Sequence, residues 1–234
     1  VHRLRTWFSG PDIWPTGSPD RLALIEYLNE NFDTLANPET STKIGIGVAT
    51  GADGVFVLND KALIEADRAL PLVMGKDLAS GKFQWGQHYL ANPWLPDGTL
   101  VDLDDYPLLA GYLERSSDQL RQRHTAKKQP HNWHRTIDKV NHELIGREKL
   151  LLRDLGSTIN PVLEPGGYYP HHNLYFVISD KWDLEVLGGL LLSRIAQAFI
   201  EAYCVRMRGG TLRFQSQYLR RIRVPHPDAI DAHT

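Results

Sequence analysis

Apolar residues recur along this chain at two periods. Leu22, Ile25, Leu28 and Phe32 stand three or four apart behind Asp20, a residue able to cap a helix, so the spacing predicts a helix over 20–32. Leu109, Leu113 and Leu120 predict a second helix, from Asp105 to about 124. The longest helix is expected over 183–207, where Leu184, Leu187, Leu191, Ile195, Phe199 and Ala202 share one stripe and Gly209-Gly210 offers a left-handed stop. Strands are expected at 72–74, 150–152, 174–178 and 222–224. Two β-branched runs flank Thr50-Gly51-Ala52-Asp53-Gly54, which reads as a hairpin over 44–58. From 126 to 142 the pattern is ambiguous. Trp133, Ile137, Val140 and Leu144 fit a helix, whereas Pro130 and the polar surroundings allow a loop. The run Asn37–Thr42 reads as a linker. We therefore expect a helical appendage and linker over 1–42, a main domain over 43–225 and a tail over 226–234.

With 234 residues, 42% hydrophobic and 23% charged, the chain can bury one sizeable core or two small ones. That composition excludes a disordered segment, a collagen-like rod and a disulfide miniprotein. The single cysteine, Cys204, fits a reducing compartment and a cytoplasmic location. The run 184–200 is broken by two glycines, Ser193, Arg194 and Gln197, so no membrane partner is expected. A first residue of Val rather than Met suggests a fragment of a longer chain.

The net charge of −2 hides a segregation. Residues 1–106 carry 8 Lys/Arg against 15 Asp/Glu, and residues 107–225 carry 18 against 11. From Arg115 to Arg153 there are 10 basic and 4 acidic residues. From Tyr203 to Pro225 there are six arginines and no acid. A segregated balance of this kind is compatible with a polyanionic partner, although a merely solvated face would also look so.

Candidate chemistry is mostly excluded by spacing. Gly45, Gly47 and Gly51 follow a strand, but the third glycine of a dinucleotide fingerprint is missing at Thr50 and no helix is expected next. Ten histidines include the close pairs His131/His134 and His171-His172, yet no third ligand is near either pair and no metal is assigned. None of the nine lysines has an acid two residues before it, and Asp102, Asp104 and Asp105 read as a capping turn. Neither a Gly-x-Ser-x-Gly elbow nor a Pro-Pro dipeptide occurs, so no catalytic residue is assigned. What remains is basic and aromatic. Arg121, Arg123, Lys127, Lys128, Trp133 and Arg135 form one group, and Arg206 to Gln217 another. Arginine can bond guanine and glutamine can bond adenine, while hydroxyls suit phosphates. An alternation with Leu212 and Phe214 inward and Arg213 and Gln215 outward would serve a core and a surface at once.

At this point the residues resemble a known family. The series Gly47-Val48-Ala49-Thr50-Gly51-Ala52-Asp53-Gly54-Val55-Phe56 resembles the G-x-x-T-G-x-x-x-V-F opening of the target-recognition region of type II restriction–modification N6-adenine DNA methyltransferases, including fused restriction enzyme/methyltransferases. Pro71–Leu78 is similar to the P-hydrophobic-x-G-[KR]-D element that follows, and Tyr112 to Arg123 to the Y-L-…-L-x-x-R helix. Gly167 to Val177 resembles the N-x-Y-hydrophobic strand, and Leu187–Ser193 with Gly210–Pro225 the closing helix, loop and L-x-x-I-x-[VI]-P.

The resemblance spans about Lys43 to Pro225. It implies an α+β fold of mixed sheet and hairpins that reads double-stranded DNA for an adenine-specific methyltransferase. S-adenosylmethionine would belong to the parent enzyme, and no cofactor is expected in this piece. The catalytic Asn/Asp-Pro-Pro-aromatic motif needs a Pro-Pro, so the methyl-transfer centre would lie in an upstream domain, the second expected partner. The residues expected to face DNA are Arg208, Thr211, Arg213, Gln215 and Gln217, with Lys127, Lys128 and Arg135 on phosphates. Thr50, Asp53, His171 and His172 are further candidates. Two rivals stay open, a self-contained nuclease or hydrolase and a protein-interaction module.

Overall fold

The computed structural model describes residues 14–230; 1–13 and 231–234, parts of the irregular opening and the tail, lie outside the described residues. In chain order the first elements are α1 (Pro19–Asn31), β1 (Asp33–Thr34), β2 (Lys43–Ile46), α2 (Asp53–Phe56), β3 (Val57–Leu58), β4 (Ala69–Val73) and β5 (His88–Ala91). Then come α3 (Pro107–Glu114), α4 (Ser117–Gln122), α5 (His124–Lys128), β6 (Lys149–Arg153), β7 (Leu155–Gly156), β8 (Val162–Glu164) and β9 (Tyr169–Pro170). The remainder is β10 (Leu174–Ile178), α6 (Leu184–Leu191), α7 (Arg194–Tyr203), β11 (Val205–Arg206), β12 (Leu212–Arg213), α8 (Ser216–Leu219) and β13 (Arg223–Val224). The mixture of helices and short sheets is the expected α+β class.

The chain divides into two compact units. Among the described residues, the first comprises 14–45, 149–163 and 175–230; the second, 46–148 and 164–174. These units do not follow the boundary expected at 42/43. Ile25 and Leu28 of α1 share one core with Ile44 of β2, Leu150, Leu152, Tyr175, Val177, Leu187 and Phe199, so the segment before Lys43 is part of a core rather than an appendage.

In the first unit, Ser18 caps α1 by accepting from the Arg21 amide, and Pro19 occupies the first turn where its missing N–H costs nothing. The helix turns Leu22, Ile25 and Leu28 inward. Four strands run in the order β2-β10-β6-β8. Gly45 lies against the Phe176 ring, which a Cβ there would strike at 2.2 Å. β1 pairs antiparallel with β13, and Arg223 ties them back by donating to Asn29 Oδ1 at 2.8 Å and Phe32 O at 3.1 Å.

The single helix expected over 183–207 is two, bent by 62°. Leu187 and Leu191 face the core in α6, but the buried stripe resumes at Ala196, Phe199 and Ile200, out of phase with a continuous helix, while Ile195 is half exposed. Ser193 resolves the mismatch by capping α7 through the Ala196 amide at 3.2 Å. Among the described residues no single helix is long and apolar enough to cross a membrane. Cys204 ends α7, buried, and that burial pushes its thiol up to about 12.

The second unit carries a sheet in the order β3-β5-β4-β9, with β4 antiparallel to β5 and parallel to β9. Glu65 caps α3 bidentately, its two oxygens accepting from Leu108 N at 2.7 Å and Leu109 N at 2.9 Å. The helix expected over 105–124 is interrupted; Leu109, Leu113 and Leu120 are all buried, but by α3 and α4 separately. The ambiguous 126–142 stretch holds the end of α5, a short 3-10 turn at Pro130–Asn132 and the start of another at His142–Leu144, and is otherwise irregular.

The hairpin expected over 44–58 does not form. Residues 53–56 wind into α2, and β3 pairs with β5 instead of β2. Gly47 serves a close backbone approach, not a turn: a Cβ there would meet Pro170 O at 2.2 Å and His171 O at 2.3 Å.

Gly47→Ala should therefore cost about 2–4 kcal/mol of stability, because backbone cannot move aside. Gly111→Ala, inside α3 with no atom within 4 Å of the new Cβ, should instead stabilise by about 0.5–1 kcal/mol. Urea unfolding of the two variants checks both signs. Cys204, with a thiolate fraction roughly a thousandfold below an ordinary thiol, should resist iodoacetamide at pH 8 until the chain is unfolded, as mass spectrometry would read.

Candidate nucleic-acid interface

Exposed basic residues stand in both units. In the first unit, α7 ends at Cys204 and the chain turns back as a ribbon of β11 and β12, with Val205 opposite Arg213 and Arg206 opposite Leu212. Gly209 and Gly210, at φ +85° and +82°, make the turn, closed by Met207 N donating to Thr211 O at 2.7 Å. β12 pairs on its other side with β7. Leu212 and Phe214 are each 2% exposed, whereas Arg206, Arg208, Arg213 and Gln217 are exposed and Thr211 and Gln215 half-buried. The expected alternation is present.

The six arginines of this segment are not equivalent. Arg213 is 47% exposed but leans on Asp154, Nε to Oδ2 at 3.3 Å. Arg220 donates to Ile44 O at 3.0 Å, and Arg223 is bound to Asn29 and Phe32. Those two hold the fold. Gln217 donates to Gln215 Oε1 at 3.1 Å, pairing two of the candidate readers.

In the second unit, Lys127 and Lys128 close α5, exposed, and Arg121 lies over the Trp133 ring at 4.4 Å. Arg123 points inward. Its guanidinium donates to Thr50 O at 3.0 Å, Trp133 O at 2.7 Å and Arg135 O at 2.8 Å, and lies over Phe56. Desolvation lowers its pKa. Arg135, expected on phosphate, gives three of its five N–H donors to Gln129 Oε1, Thr136 O and Ile137 O, which makes it chiefly a brace of the irregular 129–137 stretch.

Thr50 requires a correction. It is fully buried, so it faces no ligand; its hydroxyl donates to Asp53 Oδ1 and accepts from Ala52 N at 3.1 Å, shaping the turn. Asp53 is 46% exposed and its other oxygen lies 3.1 Å from Nε2 of His171, which is 3% exposed. Burial opposes the Asp53 charge, but the bonds from Thr50 and His171 and the fields of both imidazoles outweigh it and lower the pKa. His172 is exposed, its ring 4.1 Å from that of His171. The Asp53–His171 contact joins residues 118 apart and left no local signal in the sequence. His131 and His134 do not share a face: the first is exposed and the second buried.

With this geometry established, comparison with known proteins places the chain. Residues 70–224 match the family model of the TaqI-like C-terminal specificity domain, and the chain belongs to that family. It is 47% identical over 96% of its length to the type II methyltransferase M.PaeR7I of Pseudomonas aeruginosa, of which it covers 39%. It is 46% identical over 93% of its length to M.XhoI of Xanthomonas vasicola, and 39% identical over 96% to M.BstVI of Geobacillus stearothermophilus, covering 40% of each. The chain thus spans about two-fifths of these relatives. Its fold is similar to regions of two solved enzymes at 12% identity. One is the type IIL restriction-modification enzyme MmeI in complex with DNA (TM-score 0.54, over 77% of this chain and 24% of that one). The other is the type IIG restriction endonuclease BpuSI (TM-score 0.56, over 92% and 27%).

Burial lowers the pKa of His134 from its usual 6.5. The unfolded chain then takes up a proton that the folded chain resists, so the stability held above pH 6.5 is lost as pH falls through that value toward the depressed one. His134→Leu should flatten that part of the pH dependence, read as the slope of unfolding free energy against pH.

Proposed function

We propose that this chain supplies DNA-sequence choice to a type II, adenine-specific methyltransferase whose catalytic, S-adenosylmethionine-binding part lies in an upstream domain of the parent. The observation that carries the reading is the exposed ribbon 205–213 in a chain belonging to a specificity-domain family: its arginines stand in water while Leu212, with Phe214 just after it, anchors β12 in the core. The missing Pro-Pro and the two-fifths coverage of the methyltransferase relatives support a division of labour in which this part selects and the rest modifies.

The roles divide by chemistry. Arg208 stands at the glycine turn on an exposed backbone, and with Arg213, Gln215 and Gln217 presents donors and acceptors suited to base edges in the major groove. Thr211 and its neighbouring amides suit phosphate oxygens. Lys127 and Lys128 act through charge, by releasing counterions condensed on the duplex. Arg135 contributes through the shape of the stretch it braces. His172 and Asp53 stand exposed beside the 50–53 turn of the second unit and are available to the duplex as weaker readers; His171, being buried, acts through Asp53.

Arg208→Ala in the parent enzyme should cost about 1–3 kcal/mol of discrimination between cognate and single-mismatch duplexes. Lys127→Ala should weaken all duplexes alike and reduce the slope of log affinity against log salt by about 1. Affinity by fluorescence anisotropy at several salt concentrations separates the two. Equal effects of Arg208→Ala on every sequence, or Mg²⁺-dependent plasmid cleavage by the chain alone, would overturn the reading.

A further inference from the structure

We propose that Asp53, His171 and His172 form a binding site for a divalent transition-metal ion of the Zn²⁺ class. One donor atom from each lies within 4.8 Å of the other two. An ion at about 2.0–2.1 Å from each donor holds its donors roughly 3.0–3.5 Å apart, and His171 Nε2 and Asp53 Oδ2 already stand at 3.1 Å. The remaining gap is closed by side-chain rotation, since Asp53 and His172 both stand at the surface.

The donor set decides the class of ion. Two imidazoles and one carboxylate favour borderline cations such as Zn²⁺ and Co²⁺ over Mg²⁺ or Ca²⁺, which prefer oxygen. His171 Nε2 meets Asp53 Oδ2 either as an N–H donor to the carboxylate or, with the hydrogen on Nδ1, as a lone pair that a metal ion would bridge. His171 Nδ1 is buried and has no hydrogen-bond partner on the protein. Moving the imidazole proton to Nδ1 and giving Nε2 to a metal therefore breaks no other bond.

The backbone behind these donors is fixed. His171 N donates to Val73 O at 3.0 Å, His172 N to Val48 O at 3.0 Å and Leu174 N to His171 O at 2.9 Å. Thr50, fully buried, orients the second Asp53 oxygen. Such outer contacts set ligand direction as they do in known metal sites. Three protein ligands leave at least one position to solvent, and the ion would clamp the 50–53 turn to the 170–172 segment.

The test is a Co²⁺ and Zn²⁺ titration of the tag-free chain, with His172→Ala, Asp53→Asn and, as a control, His131→Ala. The expected result is one ion per chain, visible Co²⁺ absorption bands, and affinity falling at least about tenfold in the first two variants but not in the control. Zn²⁺ should raise the unfolding temperature of the parent chain and not of His172→Ala. Absence of one-to-one binding overturns the proposal, as does binding that both His172→Ala and Asp53→Asn leave intact; either result leaves a proton-shared His171–Asp53 pair. Circular dichroism of the variants confirms that the fold is retained.

Discussion

The close approach of backbone to backbone at Gly47 is the constraint on which the second unit depends. Gly47 N donates to Leu174 O at 2.9 Å, Val48 N to Pro170 O at 2.9 Å, and His172 N returns to Val48 O. His171 N meanwhile reaches Val73 at the end of β4. Three segments far apart in sequence are thereby stitched at one place, and only a residue without a side chain fits. Everything built there inherits this geometry: the turn at Thr50, the orientation of Asp53 and the burial of His171.

A second organising role falls to cations that were expected to be outward charge. Arg123 satisfies two carbonyl oxygens of the irregular 129–137 stretch and a third at Thr50, none of them in a regular ladder. Arg135 does the same for its neighbours. Loops without repeating structure need donors for their carbonyls, and a planar guanidinium with five N–H groups supplies several at once. Part of the basic excess of residues 107–225 is thus internal scaffolding, and the remainder is exposed, Lys127, Lys128, Arg206 and Arg208 among it.

What was legible in the sequence was local and periodic. α1 could be read because Leu22, Ile25 and Leu28 repeat, although its cap is Ser18 and Asp20 lies in the first turn, and β6 and β10 because short apolar runs are bounded by polar residues. The family could be read from ordered motifs, and the inward Leu212 and Phe214 from simple alternation. Partners far apart could not be read. Nothing in residues 44–58 says that β2 lies beside β10 rather than β3, since two β-branched runs around a glycine-rich turn satisfy the hairpin rule equally well. The bend at Ser193 was hidden because the apolar stripe tolerates either reading until the core fixes its phase. The fully buried Thr50 looked like a turn residue open to solvent, and the Asp53–His171 contact required the fold to bring its ends together.

The ribbon from Val205 to Arg213 stands mostly in water and is anchored in the core through Leu212, with Phe214 following it. Leu212 and Phe214 are constrained by what they touch, whereas the residues between and around them are held by backbone pairing alone or by a single ion pair. Natural variation can therefore accumulate on the outer side without disturbing the inner one. The outward side chains of this segment could be exchanged with no insertion, no new loop and no rebuilt core.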